Sequence, residues 1–253
     1  MSSKRQPKRE RRNERRSQQF QSHEAVIPMI QDYAVQRNTA PFEPMNEAQG
    51  QYASLIQSRR VVFGTGAAGT GKSYVALALA VEALQRGVIQ RIVVTRPLVE
   101  AGEEVGTLPG ELDEKIAPYF APARDILIER LGRGHFEGLL KAGRIQFTPL
   151  AFLRGTTFTK AWVILDEGQN TSVVQMKMLL TRLGRDSKLI INGDTNQCDL
   201  PKNVTSGLTD ALKRFAKSKN IGKQHFLQAD IVRDPFVVEV IQAYEGDDGS
   251  IVA

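Results

Sequence analysis

The segment Gly66-Ala67-Ala68-Gly69-Thr70-Gly71-Lys72-Ser73 constrains this chain more than any other feature. Its spacing is G-x-x-x-x-G-K-[ST]. An apolar run, Val61–Gly64, precedes it, and a run of helix formers, Lys72–Gln85, follows and ends at Gly87. Glycines between a strand and a helix let the backbone curl round an anion without a Cβ clash. The helix N-terminus supplies unpaired N–H donors and a dipole that favours negative charge. In that setting Gly66 to Tyr74 read as the binding segment for ATP, with Lys72 reaching the β- and γ-phosphates and Ser73 ligating Mg2+. A rival pattern overlaps it, because Gly64-Thr65-Gly66-Ala67-Ala68-Gly69 fits the dinucleotide fingerprint G-x-G-x-x-G. The next strand ends in Thr95-Arg96, however, not in the acidic residue that holds a ribose hydroxyl. The Lys72-Ser73 pair would also have no task in that fold.

The rest of the chain alternates as a parallel α/β protein does. Short apolar runs predict strands at Val61–Gly64, Arg91–Thr95, Arg144–Thr148, Ala161–Leu165, Lys188–Ile191 and His225–Leu227. Their near-continuous hydrophobicity fits a sheet covered on both faces. Helices are expected over Lys72–Gln85, Val173–Leu183 and Pro235–Tyr244, with residues 102–140 an insertion that is helical in its second half. The fold class expected is a P-loop NTPase (RecA-like) three-layer sandwich, a mostly parallel sheet with helices on both faces. Its 253 residues suffice for one sizeable domain, placed at residues 39–245.

Residues 1–38 are expected to be a basic N-terminal arm, disordered over 1–20, with a short amphipathic helix near Ala25–Gln36, and residues 246–253 a flexible tail. Lys4, Arg5, Lys8, Arg9, Arg11, Arg12, Arg15 and Arg16, against Glu10 and Glu14, account for the whole net charge of +6, so the body is neutral. The arm reads either as a salt-sensitive contact to nucleic-acid phosphates or as a solvated tail. Cys198 is the sole cysteine, which excludes an intrachain disulfide and a cysteine-rich zinc site. No apolar stretch is long enough to span a bilayer, and no h-region follows the basic residues. A cytoplasmic protein without a membrane partner is expected.

Trp162-Val163-Ile164-Leu165-Asp166-Glu167 is an apolar strand that ends in two carboxylates. Asp166 is placed to hold Mg2+ opposite the glycine segment, and Glu167 to orient or deprotonate an attacking water. A kinase activates no water, so the second acid favours hydrolysis. One strand later, Gly193-Asp194-Thr195-Asn196-Gln197 leaves another strand tip, the edge where parallel sheets bind ligands. From position alone, Gln197 is either a contact to the γ-phosphate or part of a polar turn.

These residues resemble the PhoH family of ATPases, itself similar to the first motor domain of superfamily-one helicases. The matching segments run from about Pro44 to Tyr244. They include Gly66–Ser73, Thr95-Arg96-Pro97, Glu100-Ala101-Gly102-Glu103, Leu108-Pro109-Gly110, Arg154-Gly155, Ile164–Asn170, Thr181–Gly184, Gly193-Asp194 with Gln197, Asp199-Leu200-Pro201 and Asp230–Arg233. The resemblance implies ATP hydrolysis, with RNA-linked or helicase-like activity in some members. It implies a γ-phosphate-sensing role for Gln197 and a single-strand grip at Thr95-Arg96-Pro97. It also implies that Gln49, upstream of Tyr52, reads the adenine edge; by themselves these two residues read as plain helix surface. Gly168 departs from the family's usual alanine. Neither a nuclease-like domain nor an additional RNA-binding module is expected.

Superfamily-one motors close their site with arginines from a second domain. This chain has room for one, so a homo-oligomer is expected, a hexameric ring in which a neighbour completes each site. Arg182, Arg233 and Arg185 are the candidates, followed by Arg154, and each reads equally as a surface charge. The function expected is an ATPase coupled to RNA or single-stranded nucleic acid. The alternative is a nucleotide-switched oligomeric RNA-binding scaffold without unwinding. A small-molecule kinase is disfavoured by Glu167 and by the lack of an arginine-rich lid.

Overall fold

The computed structural model describes residues 40–98 and 116–245. The expectations for the arm, for Ala25–Gln36, for the Glu100–Gly110 segments and for the tail lie outside these residues.

Six strands form one sheet whose every neighbouring pair is parallel. They are β1 (Val61–Gly66), β2 (Arg91–Arg96), β3 (Ile145–Pro149), β4 (Ala161–Leu165), β5 (Lys188–Gly193) and β6 (Ile221–Phe226). Their spatial order is β3-β2-β4-β5-β1-β6. The helices are α1 (Glu47–Ser58), α2 (Lys72–Gln85), α3 (Ala121–Leu131), α4 (Arg133–Lys141), α5 (Val173–Leu180), α6 (Gly207–Arg214) and α7 (Pro235–Glu245).

The apolar strand residues alternate between two cores, as the two-residue pleat requires. Val62, Ile92, Val94, Trp162, Ile164 and Ile190 point to one face and pack with α1 to α4. Phe63, Val93, Val163, Leu165, Leu189 and Ile191 point to the other and pack with Met176 and Leu179 of α5 and Leu208 and Ala211 of α6. The result is the expected three-layer sandwich. Truncating one such Leu or Ile to Ala costs about 2–5 kcal/mol, against about 0–1 kcal/mol for an exposed ion pair. The sheet therefore dominates stability.

Several sequence expectations need correction. The last strand covers Ile221–Phe226, not His225–Leu227. As an edge strand buried mainly at Gly222 and Phe226, it keeps a polar sequence that hides it. Helix α5 stops at Leu180, not Leu183, because Phe158 N–H donates to the Arg182 carbonyl (2.9 Å) and Gly184 N–H to that of Phe158 (2.8 Å). Those bonds draw residues 182–184 toward the start of β4. Its other end matches sequence logic: Ser172 and Gln175 form a capping box. Tyr52 and Gln49 are not helix surface but lie buried beneath α1, at 0% and 3% exposure.

Candidate active site

The carboxyl ends of β4, β5 and β1 are adjacent, so the turns that leave them converge. After β1 the chain turns at Gly66, whose φ is +114°. A Cβ there would lie 1.9 Å from the Phe226 carbonyl oxygen, so only glycine lets the loop begin against β6. Gly71 is left-handed (φ +84°) and opens α2 with no side-chain cap. The first-turn N–H groups of α2 are thus left for an anion.

Lys72 folds over this loop, with Nζ 2.7 Å from the Gly66 carbonyl oxygen, 2.6 Å from that of Ala67 and 3.2 Å from Thr70 Oγ1. Burial lowers its pKa, partly offset by the charges of Asp194, Asp166 and Glu167. Next to it, Ser73 Oγ donates to Asp166 Oδ1 at 3.0 Å. Asn192 of β5 supports this pair: its amide lies 3.5 Å from Ser73 Oγ while its oxygen accepts from the Tyr52 hydroxyl.

Burial raises the Asp166 pKa, and the charge of Glu167 adds to the rise; the Ser73 hydroxyl and Arg96 only partly relieve it. A half-buried carboxylate that makes no ion pair among the described residues, facing a hydroxyl, is an all-oxygen pair suited to Mg2+. Among the described residues no cluster of three His, Cys, Asp or Glu side chains could cage a metal alone. Mg2+ sites built on substrate phosphates need no such cage.

Glu167 adopts a left-handed conformation, φ +55°, rare for a residue with a side chain. Its carboxylate lies 3.5 Å from Arg96 and accepts from Gln169 Nε2 at 2.6 Å. Buried Gln169 also donates to the Gln197 carbonyl (3.1 Å) and accepts from Asp194 N–H (3.0 Å). One amide therefore joins the second carboxylate to the β5 turn. Asp166, Glu167, Lys72, Ser73, Tyr74, Asp194 and Gln197 all line one cavity of about 420 Å3. Its outer wall is Pro122 and Ile126 of α3, an element tied to α2 where Tyr74 donates to Glu129 at 3.0 Å. A larger open groove of about 850 Å3 lies along α1 and β6 but assembles none of these groups.

The remaining candidates separate. Arg233 lines the same cavity, and a Cβ on Gly69 would meet its Nε at 2.7 Å. It therefore sits on its own chain's glycine loop. Arg182 and Arg185 lie where the chain enters β4 and β5, at the opposite edge of the sheet. That edge is about 20 Å away for six residues at roughly 3.3 Å each. Gln49 has both amide ends engaged, accepting from Met45 N–H (2.9 Å) and donating to the Thr70 carbonyl (3.1 Å). Sequence reasoning missed Tyr52, Asn192 and the linking role of Gln169. Their signal was polarity inside apolar surroundings, invisible until burial is known.

A strand, a glycine loop and a helix opening on Lys72-Ser73, faced by a carboxylate two strands away, define a P-loop NTPase. Comparison with known proteins gives the family: the model described as PhoH-like protein matches residues 41–245. The chain belongs to the PhoH-like family. It is 42% identical over 250 residues to Protein PhoH of Escherichia coli K12, covering 95% of this chain and 71% of that protein. It is 49% identical over 197 residues to the PhoH-like protein of Bacillus subtilis 168, covering 78% of this chain and 62% of the relative. Among solved structures, the large terminase of a thermophilic bacteriophage superposes with a TM-score of 0.48 at 14% identity, covering 79% of this chain and 50% of that one. No helix among the described residues is long and apolar enough to cross a membrane.

Proposed function

We propose that this chain binds ATP with Mg2+, hydrolyses it, and couples turnover to RNA or another single-stranded nucleic acid. The observation that carries the hydrolytic reading is the second carboxylate: Glu167 shares the cavity with the Ser73–Asp166 pair but is held apart from it by Gln169 and Arg96. In this reading the N–H groups of residues 66–73 cradle the phosphates. Lys72 leaves its loop carbonyls for the β- and γ-oxygens, and Ser73 and Asp166 hold Mg2+. Bound Mg2+ supplies neutralisation of the charge that develops between the terminal phosphates. Glu167 orients a water and accepts its proton, and Gln197 contacts the γ-phosphate. Arg233 offers positive charge within the chain. Gln49, which does not line the cavity, meets the adenine edge by giving up its bond to Met45 N–H or to the Thr70 carbonyl.

Arg182 and Arg185 lie beyond reach of their own cavity, so any role in hydrolysis is in trans. In this reading the chain is a cytoplasmic homo-oligomer, a hexameric ring in which a neighbour's arginine reaches each cavity. Mixed oligomers of Lys72→Ala and Arg182→Ala subunits should then regain turnover; no regain would sink the trans role of Arg182. A second reading, a nucleotide-switched oligomeric RNA-binding scaffold, is favoured by one observation. Arg96, expected to grip a strand, instead turns toward Glu167 and the Tyr119 carbonyl.

ATP turnover with and without single-stranded RNA, for wild type and Glu167→Gln, separates the readings. Stimulation that the variant abolishes supports the motor; tight RNA binding without stimulation supports the scaffold. Calorimetry that finds no nucleotide uptake, or uptake that Lys72→Ala leaves intact, sinks both.

A further inference from the structure

Every strand of the sheet begins beside a cation. In spatial order these are Arg144 before β3, Arg91 opening β2, Lys160 before β4, Arg185 before β5, Arg59 before β1 and Lys219 before β6. Because all pairs are parallel, the six starts lie on one edge, a row about 24 Å long at roughly 4.8 Å per strand. The turns that enter the strands there, at 59–60, 86–90, 142–144, 156–160, 181–187 and 215–220, hold one carboxylate, Asp186. The opposite edge carries Asp166, Glu167, Asp194, Asp199, Asp230 and Asp234. Lys72, Arg96, Arg154, Lys202 and Arg233 stand at that same edge, so the excess of one sign is confined to the strand starts.

Helix capping explains part of this row, since helix C-termini lie on this edge and their carbonyls attract cations. Lys188 serves that way, donating to the Gln57 (2.7 Å) and Arg59 (2.9 Å) carbonyls at the end of α1. Arg60 donates to the Gly184 carbonyl at 2.6 Å and Arg144 to that of Gln90 at 3.0 Å. Capping does not account for Arg59, Arg91, Lys160, Arg185 or Lys219. None of these side chains makes a hydrogen bond or an ion pair among the described residues, and all but Arg91 are exposed. At the middle of the row lies a groove of about 570 Å3, lined by Arg60, Arg185, Asp186 and Lys188 beside Val88, Ile89 and Trp162. Arg60 and Lys188 are engaged with backbone carbonyls there, so among the described residues Arg185 is the groove's free cation, beside Asp186, and contacts to a phosphodiester backbone rest on the exposed row on either side.

We propose that this amino edge of the sheet is a docking face for the backbone of a single-stranded nucleic acid, held without sequence preference. It stands on the far side of the sheet from the nucleotide cavity and does not depend on hydrolysis there. A second copy of the chain fits less well, because the acids at its opposite edge stand among Lys72, Arg96, Arg154, Lys202 and Arg233 and form no row of one sign. A nucleic acid brings a continuous row of exposed charge.

The test is fluorescence anisotropy of a labelled oligouridylate against the full chain over a salt series. The probe variant is Arg59→Gln/Lys160→Gln/Lys219→Gln, which removes charge and no hydrogen bond. Losing three phosphate contacts should lower the slope of log affinity against log salt by about 2, at roughly 0.7 per contact, and weaken binding at least about tenfold. Arg59→Lys/Lys160→Arg/Lys219→Arg should retain the wild-type slope, and so should Lys72→Ala. Unchanged slope and affinity in the Gln variant overturn the proposal. So does failure of the charge-retaining variant to keep the slope, which would trace the loss to folding. Loss of self-association with RNA binding intact overturns it in favour of a second copy as the occupant.

Discussion

The side-chain amide of Gln169 donates to the Glu167 carboxylate at 2.6 Å while its oxygen accepts from Asp194 N–H at 3.0 Å. A buried amide so engaged fixes where the second carboxylate points. Gln169→Ala should lower kcat about 10- to 100-fold, the usual effect of misplacing a reacting group by an ångström. KM for ATP should change little, because no contact to the phosphate loop is lost. Steady-state phosphate release checks this, and a rise in KM with unchanged kcat would contradict it.

Glu167→Gln keeps the shape and the Gln169 contact but removes the proposed base. Turnover should fall about 10²- to 10⁴-fold, the usual contribution of a general base. Titration with a fluorescent nucleotide should find binding within a few-fold of wild type, as expected for a group that acts on water and not on the phosphates.

Tyr52→Phe tests the support beneath Ser73. Burial raises the Tyr52 pKa and the Asp166 charge adds to the rise, so the hydroxyl remains a donor to Asn192 across neutral and mildly alkaline pH. Removing it leaves a buried acceptor unpaired, at about 1–3 kcal/mol. Thermal melting should fall by about 2–4 °C per kcal/mol for a domain of this size, by the same amount at pH 7 and pH 9.

Asp166→Asn should stabilise the nucleotide-free chain while ending hydrolysis. Its carboxyl pKa is raised by burial, so the folded state holds the proton more tightly than the unfolded one. The destabilisation is absent below the unfolded value of 3.8 and accrues as pH rises through the folded pKa. Scanning calorimetry at pH 7 without Mg2+ should find the variant stabler by about 0.5–2 kcal/mol, and the gain should shrink in acid. A variant that melts lower at pH 7 would contradict this account.

The sheet and the glycine loop were legible because strands buried on both faces are continuous apolar runs, and Lys72 and Ser73 stand at fixed spacing. Strand β6 was placed too late, at His225–Leu227, because Lys223, Gln224 and His225 occupy a half-covered edge and hide its start. Helix α6 was missed outright; it is a short element whose apolar positions Leu208 and Ala211 stand among polar neighbours. Gly168 was legible only as a departure. A Cβ there would meet Ile191 Cγ2 at 2.9 Å and the Asn192 carbonyl oxygen at 3.0 Å, so this chain has no room for alanine without a shift in β5. The split of the arginines, Arg233 on the loop and Arg182 at the far edge, depends on topology, which local sequence does not encode.

Strand β1, which launches the glycine loop, is flanked only by β5 and β6. On a ribosome it emerges more than a hundred residues ahead of either neighbour. The loop's other anchors are as remote, since Val232 N–H binds the Gly69 carbonyl and Asn46 reaches the Asp230 carbonyl. Such sequence-distant pairing is slow to form. A nascent chain therefore completes the pairs and anchors that hold the glycine loop only after β6 and Val232 have been made.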